Sequence, residues 1–159
     1  MVTDPADGAV VSTRQEVRDM PTFMQAFEPQ AYALLRIVAG LLFLWHGTQK
    51  LFAFPTAPPP VPPFVIYTAG PIELIGGLLV MIGLFAGWAA FLCSGLMAAA
   101  YWMVHGPQAL FPIQNGGELA VLYCFVFLYI AARGSGIWSV DAARGESAAF
   151  SGTPSPARR

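Results

Sequence analysis

The stretch "YALLRIVAGLLFLWHGTQKLF", Tyr32–Phe52, decides the fold. Its 21 residues rise about 31 Å as a helix at ~1.5 Å per residue, enough to cross the ~30 Å hydrocarbon core of a bilayer. Arg36 lies near its start. His46 and Lys50 lie near its end, four positions apart and so on one helix face.

The rest of the chain fits that reading. Its 159 residues are enough for one domain. Hydrophobic residues make up 56%, above the roughly 45–50% of ordinary soluble domains, and the 11% that are charged fall under half the usual ~25%. So few charges cannot cover the surface of a small soluble protein, whereas a lipid-embedded one needs no such cover. A net charge of −1 leaves no basic footprint for nucleic acid. Cys93 and Cys124 have neither a CxxC nor a metal-ligand spacing, so no metal site is expected. By helical rise their depths differ by roughly 10 Å, and a disulfide needs Cα atoms within about 7 Å. They read as small core residues. The polar first ~30 residues lack the apolar run and small-residue cleavage site of a secretory signal.

Three further apolar segments follow. "PTAPPPVPP" (55–63) reads as an extended connector, because proline supplies no backbone donor. Gly70–Leu84 carries Pro71 in its first turn. "FAGW" (85–88) separates it from Ala89–Val104. Gly70–Val104 is 35 residues, too long for one crossing and right for a helical hairpin. "HGPQALFPIQNGG" (105–117) reads as a loop, and Gly117–Ala132 as the last crossing. The expected fold is all-α, a transmembrane four-helix bundle over residues 31–135, between an N-terminal tail (1–30) and a C-terminal tail (136–159). In the first tail "STRQEVRDM" suits a short helix, with Ser12 or Thr13 as cap and Glu16 completing a capping box.

Four crossings put both termini on one side. Arg14, Arg18, Arg133, Arg144, Arg158 and Arg159 flank the termini, against Lys50 alone near the other side. The positive-inside rule then makes the termini cytoplasmic and the chain a multi-pass protein of the bacterial inner membrane. In that orientation His46 and Lys50 end the first helix, Glu73 opens the second, His105 ends the third, and Asn115 and Glu118 head the fourth, all near the outer face. Intramembrane ionisable groups are costly and usually pair or mark a pathway. The plainer reading is that carboxylates at helix starts and cations at helix ends satisfy the helix dipole for roughly 0.3–1 kcal/mol each. For His105, beside Gly106-Pro107, a solvated loop position is the better reading. Arg36 belongs near the inner end, either snorkelling to the interface or facing the bundle to meet a headgroup or a partner's carboxylate. Gly40, Gly47, Gly76, Gly77, Gly83, Gly87, Ser94, Gly95, Ala98 and Ala99 have the spacing of small residues that let helices approach closely in lipid.

"LLRIVAGLLFLWHGTQKLF", "IELIGGLLVMIGLFAGWAA" and "NGGELAVLYCFVFLYIA" together resemble the first, second and last helices of the DoxX family of small bacterial four-helix membrane proteins. The resemblance covers about residues 31–135. It places Arg36, His46, Gly47, Lys50, Glu73, Gly76, Gly77, Asn115 and Glu118 on the family's recurrent positions. The proline-rich connector and the long polar N-terminal tail depart from the pattern. The family takes its name from a subunit of a thiosulfate:quinone oxidoreductase, and the resemblance implies an association with membrane redox complexes.

The leading functional expectation is a redox-associated membrane subunit that contacts quinone or a small oxidant through His46, Lys50, Glu73, Asn115 and Glu118. Arg36 is a separate polar group on the inner side. The chain has no haem motif, flavin glycine loop or cluster cysteines, so no intrinsic cofactor is expected and an oxidoreductase partner would carry the electrons. Two alternatives differ in class. One is a small-molecule transporter gated by the same cluster, for which a water-lined path from Arg36 to Glu118 is the discriminating feature. The other is a non-catalytic structural subunit of a membrane complex.

Overall fold

The computed structural model describes residues 23–58 and 60–145. Every regular element among them is helical. The short helix expected over "STRQEVRDM" lies outside the described residues, as do Arg14, Arg18, Arg158 and Arg159.

A 3-10 turn (Gln25–Phe27) leads into α1, Glu28–Phe52. Helices α2 (Pro63–Ile82) and α3 (Ala86–His105) follow. A single turn, α4 (Pro112–Asn115), precedes α5 (Glu118–Arg133), and one further turn, α6 (Val140–Ala143), closes the described chain. Among the described residues three helices are long and apolar enough to cross a membrane: Gln25–Phe52, Pro63–Ile82 and Ala86–His105. The segment expected as a fourth crossing forms helix α5, which is not among those three: its 16 residues rise only about 24 Å.

Helix α2 starts at Pro63, seven positions before the expected Gly70. Pro63 sits at the first helical position, where no amide donor is needed. Pro71 therefore lies inside the helix instead of in its first turn. It lacks the amide that would bond the preceding turn, and the chain widens directly after it into a π-helical turn over Ile72–Gly76. Helix α3 likewise begins three residues earlier than expected. The α2–α3 turn is compact because Gly83 and Phe85 both take left-handed φ values, 71° and 49°. Gly83 completes a helix stop in which its own amide bonds Val80 O and the Leu84 amide bonds Leu79 O. The segment read as a plain loop, 105–117, contains α4.

Helix α1 buries Tyr32, Ala33, Arg36, Ala39, Gly40, Phe43 and Gly47, one stripe at helical spacing. The α1–α2 contact is backbone on backbone. A Cβ on Gly40 would lie 2.5 Å from Met81 N, one on Gly47 2.4 Å from Leu74 N, and one on Gly77 2.6 Å from Leu44 N. Gly76 makes the equivalent room for Cys93 Sγ on α3. Helices α3 and α5 pack together, with Ser94 Oγ donating to Cys124 O at 2.8 Å. Between α1 and α5 the seam is filled by rings: Phe43 lies 4.7 Å from Phe127 and 5.4 Å from Tyr123, and Tyr32 lies 5.7 Å from Tyr129. Cys93 and Cys124 are both free thiols.

The glycine contacts predict unequal tolerance. Gly47→Val forces apart two backbones and should destabilise the protein by about 3 kcal/mol or more. Gly95, which has nothing within 4 Å of a built Cβ, should accept alanine with no loss. Thermal unfolding of both variants in detergent checks this contrast.

Candidate functional site

Closure of α1 on α2 places the last turn of α1 against the π turn of α2. Lys50 Nζ donates to Glu73 Oε1 at 2.9 Å and Oε2 at 2.7 Å. The Glu73 side chain is only 4% exposed and that of Lys50 17%. The carboxylate is thus almost dry, and its bonded cation opens toward the surface at the helix end. Two bonds to Glu73 leave Lys50 a third ammonium N–H. His46, one turn before Lys50, is half-buried and meets Tyr123 of α5 edge to face, with ring centroids 6.2 Å apart. Single π turns within α-helices are frequent at functional sites.

Asn115 is buried and organises the α3–α5 loop. Its Nδ2 donates to Ala109 O at 2.8 Å, and its Oδ1 accepts from the Gly117 amide at 2.8 Å. Its main-chain oxygen lies 2.9 Å from His105 Nδ1. His105 is therefore half-buried and bonded to the loop, where a solvated position was expected. Glu118 is exposed and forms no side-chain hydrogen bond or ion pair with any described residue. Of the five expected groups, Lys50 and Glu73 are bonded to each other, His46 lies one turn away against Tyr123, Asn115 bonds within the loop, and Glu118 is exposed at the start of α5.

Arg36 lies toward the opposite end and is fully buried, so it does not snorkel. Its Nη1 donates to Val80 O at 2.6 Å and Met81 O at 2.7 Å, carbonyls of the last turn of α2. Its Nη2 donates to Trp138 O at 2.7 Å and Ile137 O at 3.4 Å, in the segment after α5. A buried cation at the carbonyl end of a helix is favoured by the helix dipole as well as by these bonds. The sequence reading missed the segment that receives Arg36. Tyr32 donates its hydroxyl to Gly134 O, Ser139 caps α6 through the Ala142 amide at 3.1 Å, and the Asp141 amide donates to Gly83 O at 3.1 Å. The "S-V-D" start of α6 was the available signal, a serine one step before a helical turn with an acid inside it. Tyr123, beside His46, was also missed, since nothing in its spacing distinguishes it from other core aromatics.

Between the two ends the interior is lined by buried side chains. Phe43, Val80, Ala90, Cys93, Phe127 and Ile130 are each 1% exposed or less.

Comparison with known proteins places this arrangement in a family. The DoxX family model matches residues 31–106. An uncharacterized protein of Haemophilus influenzae is 39% identical over 125 residues, covering 74% of this chain and 93% of that one. A Bacillus subtilis protein named "Putative oxidoreductase CatD" is 27% identical over 113 residues, covering 68% of this chain and 82% of that one. No solved structure matches the chain.

The geometry predicts a sign for the ion pair. Lys50→Met strands a buried carboxylate and should cost about 3–5 kcal/mol. Adding Glu73→Gln should recover most of that loss, because a neutral pair no longer needs a cation. A double-mutant cycle by unfolding in detergent measures it. A loss in the double variant equal to the sum of the two single losses would mean that the two side chains are not coupled.

Proposed function

Because this chain belongs to the DoxX family, we propose that it is a membrane subunit serving a redox system, whose Lys50–Glu73 pair and neighbouring His46 contact quinone or a small oxidant. In this reading α1, α2, α3 and α5 cross the bacterial inner membrane as a four-helix bundle. Both termini are cytoplasmic and the Lys50 end faces outward. The likeness to the Bacillus subtilis protein supports a redox association.

The observation that carries the proposal is the chemistry of the pair: a carboxylate 4% exposed, bonded twice to an ammonium that is 17% exposed. Such a pair contributes little to stability relative to apolar residues of the same size, so its presence in a membrane helix points to a task. A quinone supplies two carbonyl oxygens that accept hydrogen bonds and, on reduction, two protons. The remaining Lys50 N–H and the His46 ring, one turn apart on the same face, suit the first requirement. Glu73, hydrogen-bonded to Lys50, suits proton transfer. Asn115 and Glu118 enter only as second candidates, holding the neighbouring loop and lying at the head of α5. Electrons come from a partner protein, since this chain carries no haem, flavin or cluster motif.

The buried apolar side chains between Arg36 and Glu73 support contact at one end over permeation through the bundle. Phe43 and Phe127 stack edge to face on that line, and both are essentially inaccessible.

Quinone titration of the protein in lipid nanodiscs tests the reading. Loss of one charge-assisted hydrogen bond is worth about 1.5–3 kcal/mol, so Lys50→Met and Glu73→Gln should each weaken binding by roughly 10- to 100-fold. Gly95→Ala should bind as the native chain does. Native affinity in both site variants would remove the proposed contact.

A further inference from the structure

The loop between α3 and α5 has an unusual surface. Its twelve residues, 106–117, include no Asp, Glu, Lys or Arg. Leu110, Phe111 and Ile113 are 74%, 58% and 77% exposed. Three large apolar side chains in one short loop are costly in water.

The loop does not stand away from the helices. Tyr101, four positions before the end of α3, donates its hydroxyl to Leu110 O at 3.1 Å. A Cβ on Gly117 would lie 2.8 Å from the Tyr101 ring. The chain therefore folds back beside the last turn of α3. Several of its main-chain groups are bonded within the protein: Ala109 O and the Gly117 amide by Asn115, Asn115 O by His105, and the Gln108, Gln114 and Asn115 amides by nearby carbonyls. Each such bond lowers the cost of bringing the segment to the membrane boundary, where the remaining groups still meet water and headgroups.

Helix length supplies the independent observation. Helix α5 has 16 residues, about 24 Å of rise against a hydrocarbon core of ~30 Å. If α5 crosses, the shortfall of about 6 Å is met by local thinning of the bilayer, by snorkelling of its end charges, or by apolar chain at its ends. The segment immediately before it is uncharged, turned back toward the bundle and apolar on its free surface.

We propose that loop 106–117 is a membrane-seated wedge. It lies at the headgroup boundary on the Lys50 end of the bundle, with Leu110, Phe111 and Ile113 entering the acyl region beside α5 while the exposed Glu118 carboxylate stays at headgroup level. The partner it fits is the lipid surface itself. Asn115 and His105 are then positioning residues that hold the loop against the bundle by bonding part of its backbone. The inference rests on the four-crossing reading of α5, and not on quinone contact.

Spin labels test it in full-length protein carrying Cys93→Ala and Cys124→Ala, reconstituted in phosphatidylcholine vesicles. Single labels are placed at Ile113, at Gln108 of the same loop, and at Phe125 midway along α5. Collision with oxygen reports lipid, and collision with a nickel chelate reports water. The expected result is an oxygen-to-nickel ratio at Ile113 several-fold above that at Gln108 and approaching that at Phe125. A lipid-like ratio at Phe125 with a water-like ratio at Ile113 overturns the wedge and leaves the crossing intact. Water-like ratios at both overturn the wedge together with the crossing. Protection of Ile113 from both reagents places the loop against protein and also overturns it. Should the cysteine-free background fail to fold, Ile113→Trp in the otherwise native chain carries the same test. Its added emission should be quenched by brominated lipid and spared by aqueous acrylamide, and the reverse pattern overturns the proposal.

Discussion

The close approach of α1 and α2 is the constraint on which the rest depends. Gly40 and Gly47 on one helix, and Gly77 on the other, remove the side chains that would hold the axes apart. In lipid this is how helices adhere, since the hydrophobic effect does not distinguish a neighbouring helix from an acyl chain. The approach has a chemical consequence at each end. At one, it brings the side chain of Lys50 onto Glu73. At the other, it brings Arg36 under the last carbonyls of α2. Both cations lie on α1, and both find their partners on α2.

The two ends are built differently. The Arg36 guanidinium is fully buried and spread over main-chain carbonyls from α2 and from the segment after α5. It ties the beginning, middle and end of the described chain into one knot. Tyr32 adds a second tie to the same segment, and Arg133 a third, lying 4.5 Å over the Tyr32 ring and paired with Glu28. The Lys50 end is less closed. One ammonium N–H stays free of Glu73, His46 is half-buried, and the nearest ring on α5 is Tyr123. A bundle locked at one end and partly open at the other, with aromatic packing between, is suited to chemistry at a mouth.

Much of this was legible in the sequence because lipid imposes long apolar runs. The first helix and the α2–α3 hairpin follow from length and hydropathy alone, and alternating helix direction puts Lys50 and Glu73 at one level without singling them out as a pair. The start of α2 was not legible. Proline is compatible with a first turn at Pro63 and at Pro71 alike, and only the π turn after Pro71 shows how the second is accommodated. The surface of α5 was not legible either. Glu118, Leu122, Phe125 and Tyr129 share a face by spacing, but that face is exposed, and Ala120, Tyr123, Phe127 and Ile130 form the buried one. An apolar helix in lipid is hydrophobic all round, so periodicity does not mark its inside. The destination of Arg36 depended on a contact between residues about a hundred positions apart, which no local pattern encodes.

The central claim is that glycine-mediated closure of α1 on α2 makes a nearly dry ion pair at the Lys50 end. Solid-state NMR of lipid-reconstituted protein, with nitrogen-15 in the lysine side chain and carbon-13 in the glutamate carboxyl groups, measures it most directly. Lys50 is the sole lysine in the chain, so the nitrogen signal is unambiguous. The account predicts strong dipolar coupling to one carboxylate, corresponding to the 2.7 and 2.9 Å contacts and abolished by Glu73→Gln. A Lys50 nitrogen uncoupled from any glutamate, or coupled equally in that variant, would contradict it.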